Sequence, residues 1–222
     1  IDSAEQMSKV NLLYPERYFL TLFKERLELE GIYTEKPIYL KRLEENPVYL
    51  STIYRPIDTL LSELNKESDN LNAEMLIYAM AYKDSGAPAS SEDGLAAIKK
   101  FIDTLGFNSE DYSIADGSGV SHYNLVSAEI LLETLKYIYY QRKDLFPLFY
   151  NSLPIAGEDG TLEKRMKNSS AQKNVHAKTG TLNGVSNLSG YVTAKNGHLI
   201  AFSIMIQNFV EEYSQARNFQ NI

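Results

Sequence analysis

Residues 176–209, HAKTGTLNGVSNLSGYVTAKNGHLIAFSIMIQNF, constrain the fold more than any other stretch of this 222-residue chain. They open on Lys178-Thr179-Gly180-Thr181 and then read as two strands joined by Asn196-Gly197, a type I′ hairpin signal. The residues before them are mostly helical in pattern, and no regular β–α alternation occurs. Helices in the middle followed by a sheet near the end predict an α+β arrangement rather than a doubly wound one.

PERYFLTLFKERLELEGI (15–32) predicts an amphipathic helix. Pro15 suits its first turn, Phe19, Leu22, Phe23 and Leu27 keep a 3–4 spacing, and Gly31 ends it. Residues 33–55, with Pro37 and Pro47, read as extended segments and turns. Residues 56–82 carry helical periodicity broken by the polar run 66–70, which predicts two helices meeting at Ser68-Asp69-Asn70. GAPASS (86–91) is a loop, and 91–106 predicts a helix with Ser91 as N-cap and Gly106 past its end. Residues 112–124 read as a short strand and a tight glycine-containing loop, 127–141 as another N-capped helix, and 152–166 as turns. The closing QARNFQNI has a helical look. There is no repeat of 20–50 residues and no low-complexity tract.

Composition removes several classes. Net charge is −7 with Lys and Arg scattered, which argues against a nucleic-acid surface. Zero cysteines exclude disulfides, Cys-ligated zinc and thiol catalysis. His122, His176 and His198 lack metal-ligand spacing, so no metal or cofactor is expected. His176, two residues before Lys178, would share its strand face and is a weak cleft candidate. No apolar run approaches the roughly 18–20 residues that cross a bilayer. The chain opens on Ile-Asp-Ser-Ala, without a leader pattern and without Met, and is expected to continue upstream.

Ser68-Asp69-Asn70 lies 110 residues before Lys178-Thr179-Gly180. Alone, the first is an N-cap signal and the second an ordinary strand start. Together, in this order and with the second at the head of an apolar hairpin, they form part of the signature set of β-lactamases and penicillin-binding proteins. The residue types suit acyl transfer. A lysine at the rim of a sheet binds a substrate carboxylate, and the Thr179 hydroxyl adds a donor. Gly180 lets substrate lie against the strand, and the N–H just beyond it can face a developing oxyanion. In the turn, Ser68 can relay a proton to the leaving amine while the Asn70 amide holds the substrate's own amide.

Four stretches make the likeness specific: ESDNLNAEML (67–76), IADGSGVSHYNLVS (114–127), LPIAGEDGTLEKRM (153–166) and HAKTGTLNGVSNLSGYV (176–192). With their spacing they cover most of 15–219, and the chain resembles the C-terminal part of a D-alanyl-D-alanine carboxypeptidase/endopeptidase of the penicillin-binding protein 4 type. The resemblance implies a serine DD-peptidase fold, αβα layers around an antiparallel sheet, as in β-lactamases. It implies peptidoglycan stem peptides ending in D-Ala-D-Ala as substrates, β-lactams as acylating ligands and a periplasmic or other extracytoplasmic location. It assigns Ser68, Asn70 and Lys178 to catalysis. Asp69, Thr179, Gly180 and Thr181 fall to substrate binding, the Thr181 N–H as oxyanion donor.

The family's nucleophile, the serine of an S-x-x-K on an early helix, has no counterpart here. The one S-x-x-K, Ser170-Ala171-Gln172-Lys173, sits in a polar loop and in the wrong order, and Thr21-Leu22-Phe23-Lys24 lies on a packing helix. The expectation is that residues 1–14 end an upstream inserted region and 15–222 form the C-terminal portion of the peptidase domain. The nucleophile-bearing part of the same protein is then its partner, and this fragment is inactive alone. The rival reading is a catalytically silent cell-wall-peptide or partner-binding module on the same fold. Asp116-Gly117-Ser118-Gly119, a tight turn by itself, keeps an open role.

Overall fold

The computed structural model describes residues 12–35, 37, 38, 48, 51–86, 88–210 and 212–221. The chain divides into two compact units, residues 1–53 and 54–222. In the first, α1 (Pro15–Leu29) ends as its glycine predicts. Gly31 takes a left-handed φ of +78°, and the N–H groups of Gly31 and Ile32 return to the carbonyls of Glu28 and Leu27, a Schellman closure. Most of the extended segments expected over 33–55 lie outside the described residues.

In the second unit the polar break at 66–70 separates α2 (Ile57–Lys66) from α3 (Asn70–Ser85), as its sequence predicts. α4 (Ser91–Thr104) starts one residue earlier than expected because Ser90, not Ser91, is its N-cap. Ser90 stands three residues before Asp93 and accepts its N–H at 3.1 Å, while its hydroxyl donates to the Asp93 carboxylate at 2.6 Å. The first of these is the N-cap bond to the third helical residue and the second fixes the hydroxyl that makes it, an arrangement Ser91 is out of phase to form. Ser90→Ala is expected to cost about 1 kcal/mol, read as a lowered thermal midpoint, and Ser91→Ala much less.

The strand expected within 112–124 is absent. Ser113 and Leu125 form a single bridge that pinches the ends of a loop. α5 (Ala128–Gln141) follows with Ser127 as its cap, then a short helix that the sequence reading missed, α6 (Phe146–Ser152).

Three strands close the fold, not two: β1 (Val175–Leu182), β2 (Val185–Thr193) and β3 (Leu199–Gln207), antiparallel in that order. The overlooked break is Asn183-Gly184, where Leu182 pairs Val185 across two residues and Gly184 has φ +69°. Asn196-Gly197 makes no type I′ turn, which needs positive φ at both positions, because Gly197 alone of the pair has it (φ +82°). A longer loop forms, closed by Gly197 N–H on Ala194 O and by Ala194 N–H on His198 O, both at 2.8 Å.

Directly paired residues share a face, so the register sorts the core. On one face Val175, Ala177 and Leu188 pack against Ala156, Leu162 and Met166 of the preceding loop. From that side α7 (Tyr213–Gln220) docks on β2, Gln220 Nε2 donating to Ser186 O at 2.9 Å. On the other, Tyr191 packs with Leu135 of α5 and with Phe146, Phe149 and Tyr150 of α6, its hydroxyl donating to Leu135 O at 2.7 Å. Helices cover both faces, which is the αβα layering the resemblance implies.

Candidate active site

The turn between α2 and α3 is built from backbone geometry. Glu67 caps α2, Ser68 follows with φ +55°, and Asp69 N–H returns to Leu64 O at 3.1 Å, the six-to-one bond of a Schellman motif. Ser68 thus occupies the position where glycine is preferred, a strain of about 1 kcal/mol. Asp69 then starts α3, its carboxylate accepting Asn72 N–H at 2.7 Å. One carboxylate oxygen of the Ser-Asp-Asn turn therefore serves the helix, and Asn70 stands exposed at the first helical position.

The left-handed turn sets the Ser68 hydroxyl beside Lys178. Lys178 Nζ donates to Ser68 Oγ at 2.7 Å and to Thr179 O at 2.9 Å. Two tripeptides 110 residues apart thus meet through one hydrogen bond. Burial pulls the Lys178 ammonium down to about 8. Ser68→Ala and Ser68→Gly both delete the hydroxyl, but only glycine relieves the backbone. The glycine variant is expected to be the more stable by about 1 kcal/mol, and equal stabilities would deny the strain.

Lys178, Thr179, Gly180 and Thr181 lie on β1, a strand with one neighbour in this sheet. Thr179 Oγ1 donates to Thr161 Oγ1 at 2.9 Å, so a further hydroxyl reaches the rim, and the Thr181 side chain is exposed. Across the sheet Lys178 pairs with Ser189, and Ser189 with Ser203, whose hydroxyls are 2.9 Å apart. Gly180 pairs with Asn187, whose Oδ1 is buried without a partner. None of Thr161, Asn187, Ser189 or Ser203 was singled out in the sequence. Thr161 lies within LPIAGEDGTLEKRM, a stretch that carries part of the family resemblance but in which no single residue was given a role.

His176 shares the Lys178 face of β1, stacked on Tyr150 with ring centroids 4.1 Å apart and Nδ1 buried without a partner. Burial lowers its pKa. His122 and His198 are exposed. Ser170 is exposed in a turn, and Lys173 (φ +62°) lies 3.8 Å from Glu158, so this S-x-x-K has no helical geometry. Thr21 back-bonds to Arg17 O within α1.

The Asp116 loop also has a structural account. The Asp116 carboxylate accepts the N–H groups of Gly119 (2.6 Å) and Ser121 (2.7 Å) and the Asn124 amide (2.9 Å). Glu74 of α3 takes the N–H groups of Gly117 and Ser118, and a Cβ on Gly117 would lie 2.7 Å from Ala73 O. The loop is docked on the helix that begins at Asn70.

A sheet edge carrying Lys-Thr-Gly against a helical Ser-Asp-Asn turn, with helices on both sheet faces, is the arrangement of the penicillin-binding DD-peptidase fold class. The chain belongs to the D-Ala-D-Ala carboxypeptidase 3 (S13) family, whose model matches residues 2–221. It is 32% identical over 197 residues to the D-alanyl-D-alanine carboxypeptidase DacB of Haemophilus influenzae, covering 87% of this chain and 41% of that protein. It is 33% identical over 193 residues to the D-alanyl-D-alanine carboxypeptidase of an Actinomadura species, covering 83% and 35%. Among solved structures, penicillin-binding protein 4 of H. influenzae in complex with a β-lactam superposes with a TM-score of 0.80 at 30% identity, covering 96% of this chain and 51% of that one. The chain thus spans about two fifths or less of the length of these curated relatives.

Proposed function

We propose that this chain supplies the proton-relay and carboxylate-binding walls of a serine-type D-Ala-D-Ala carboxypeptidase/endopeptidase that cleaves peptidoglycan stem peptides outside the cytoplasm. The supporting observation is the 2.7 Å bond from Lys178 to Ser68, which assembles two motifs of this family into one cleft. Lys178 and the Thr179 hydroxyl bind the terminal carboxylate of the substrate or of a β-lactam. The substrate lies along β1 beside Gly180, and the Thr181 N–H faces the acyl oxygen. Ser68, held by a lysine whose pKa burial has lowered, passes a proton to the leaving amine, and Asn70 holds the substrate amide. Asp69 serves the substrate by shaping this turn.

The attacking serine, with the lysine of its S-x-x-K, comes from a part of the protein outside this chain. Neither S-x-x-K-like segment here is built for the role, and the full-length relatives are more than twice as long. Residues 1–14 then belong to an inserted region and 15–222 to the end of the peptidase domain. Intact mass after labelled penicillin tests this. The complete protein should gain one penicilloyl group and this chain none; a stable adduct on this chain would refute it. The missing nucleophile also favours one second reading, a silent binding module. It predicts a complete sequence without an S-x-x-K on an apolar helix.

The Lys178 shift sets a pH dependence. Carboxylate binding needs the ammonium, so acylation by penicillin should fall as pH rises through about 8. For stability the sign is opposite. The folded pKa of about 8 lies below the ordinary 10.5, so the unfolded chain binds more protons between them and stability rises with pH there. A flat acylation profile between pH 7 and 9.5 would remove the role given to this ammonium.

A further inference from the structure

One ion pair sits between the two motifs. Lys66, the last residue of α2, donates to Leu153 O at 3.0 Å and to the Asp159 carboxylate at 2.5 Å. The other Asp159 oxygen accepts Ile155 N–H at 2.8 Å. The pair therefore ties the end of α2, two residues before Ser68, to both ends of the loop that leads into the short 3-10 helix Gly160–Leu162. The tie is tight. Gly160 has φ +53°, and a Cβ there would lie 2.6 Å from Lys66 O. The next residue, Thr161, carries the hydroxyl that meets Thr179, and Ile155 bridges to His176 on β1. One residue earlier in α2, Asn65 Nδ2 donates to Ser152 Oγ at 2.7 Å, which anchors the same helix end to α6. Neither charge of the pair touches Lys178, Thr179 or Ser68 directly in the hydrogen-bond network of the described residues.

We propose that Lys66 and Asp159 are a positioning pair for the reaction, holding Ser68 against Lys178 and Thr161 against Thr179 in one register. The proposal rests on the functional reading above. An ammonium is suited to the task because it bonds a carbonyl and a carboxylate at once, so α2 and the loop are fixed relative to each other and not merely in contact. A displacement of about 1 Å at a reacting group from a change outside the chemistry can cost about 10²-fold in rate.

The test uses the complete protein and a fluorescent penicillin, with the acylation rate followed against drug concentration. Lys66→Met and Asp159→Asn are each expected to lower the saturating acylation rate by about 10²-fold, with a smaller change in the half-saturating concentration. The double variant should be no slower than either single one, since both remove the same clamp. Lys66→Arg, which keeps the charge and the donors, should retain most of the rate. Single variants that acylate like the parent overturn the proposal. So does loss of rate that follows thermal stability alone and is not rescued by arginine. A parent that takes up no penicillin overturns the functional reading and this proposal together. A parent that does, with variants that match it, overturns the proposal alone.

Discussion

Lys178→Ala in the complete protein is expected to lower penicilloyl formation by roughly 10²–10³-fold. Three effects coincide at this position. The variant removes the cation proposed to meet the ligand carboxylate. It takes from Ser68 the donor that holds its hydroxyl at 2.7 Å. It also strips from the rim of β1 a half-buried ammonium, whose pKa burial holds below the ordinary lysine value. Lys178→Glu should be worse still, since it sets two carboxylates against each other. Stopped-flow or gel-based acylation by a fluorescent penicillin measures the loss, and the same change on a D-Ala-D-Ala peptide should track it. Turnover within a few-fold of the parent would remove Lys178 from the carboxylate site.

The second large effect falls on the fold. Gly190 pairs Ala177 across β1 and β2, and a Cβ there would lie 2.1 Å from His176 O and 2.5 Å from Ala177 Cα. Both are backbone atoms of the strand that carries Lys178, so no side-chain rotation relieves the clash. Gly190→Ala is expected to cost about 3 kcal/mol or more, seen as a large fall in the thermal midpoint of this unit. Gly180→Ala is the contrast. Its Cβ would lie 3.6 Å from Asn187 Cβ, an ordinary contact, so the fold should tolerate it while the proposed substrate path beside the strand is narrowed. An unchanged midpoint for Gly190→Ala would contradict the β1–β2 register.

That contrast shows where the sequence is legible. Lys178, Thr179 and Gly180 stood out because a short motif fixes them, and the helix break at Ser68-Asp69-Asn70 stood out because polar residues interrupt a 3.6-residue period. The third strand did not, because HAKTGTL and VSNLSGYVT run together in hydropathy and their separator is the dipeptide Asn183-Gly184. Asn196-Gly197 matched a known turn, yet Ala194 and His198 pair outside it and lengthen the loop. Ser90 against Ser91 depended on phase with Asp93, a one-residue matter that only the cap bonds settle.

The site shows the same division. Motif residues are local in sequence and were visible. The groups that hold them together are not local. Lys66 meets Asp159 across 93 residues, and Thr161 meets Thr179 across 18. Nothing in the periodicity of α2 marks Lys66 as different from an exposed helix-end lysine. Only its carbonyl and carboxylate partners, brought in by the turn after α6, give it a part. Ser68-Asp69-Asn70 carries an N-cap signal, and within it Asp69 caps the next helix while the Ser68 backbone closes the preceding one. That division matters chemically, because the left-handed turn places the hydroxyl beside Lys178.

β1 and the Ser68 turn are proposed to form two walls of one acylation cleft. The most direct measurement is a crystal structure of the complete protein acylated by a penicillin. The ligand carboxylate is expected against Lys178 and the Thr179 hydroxyl, with the acyl oxygen about 3 Å from the Thr181 nitrogen. Ser68 is expected within hydrogen-bond reach of the opened ring nitrogen. An acylated serine whose ligand lies away from β1, with Lys178 and Ser68 contacting only each other, would contradict it.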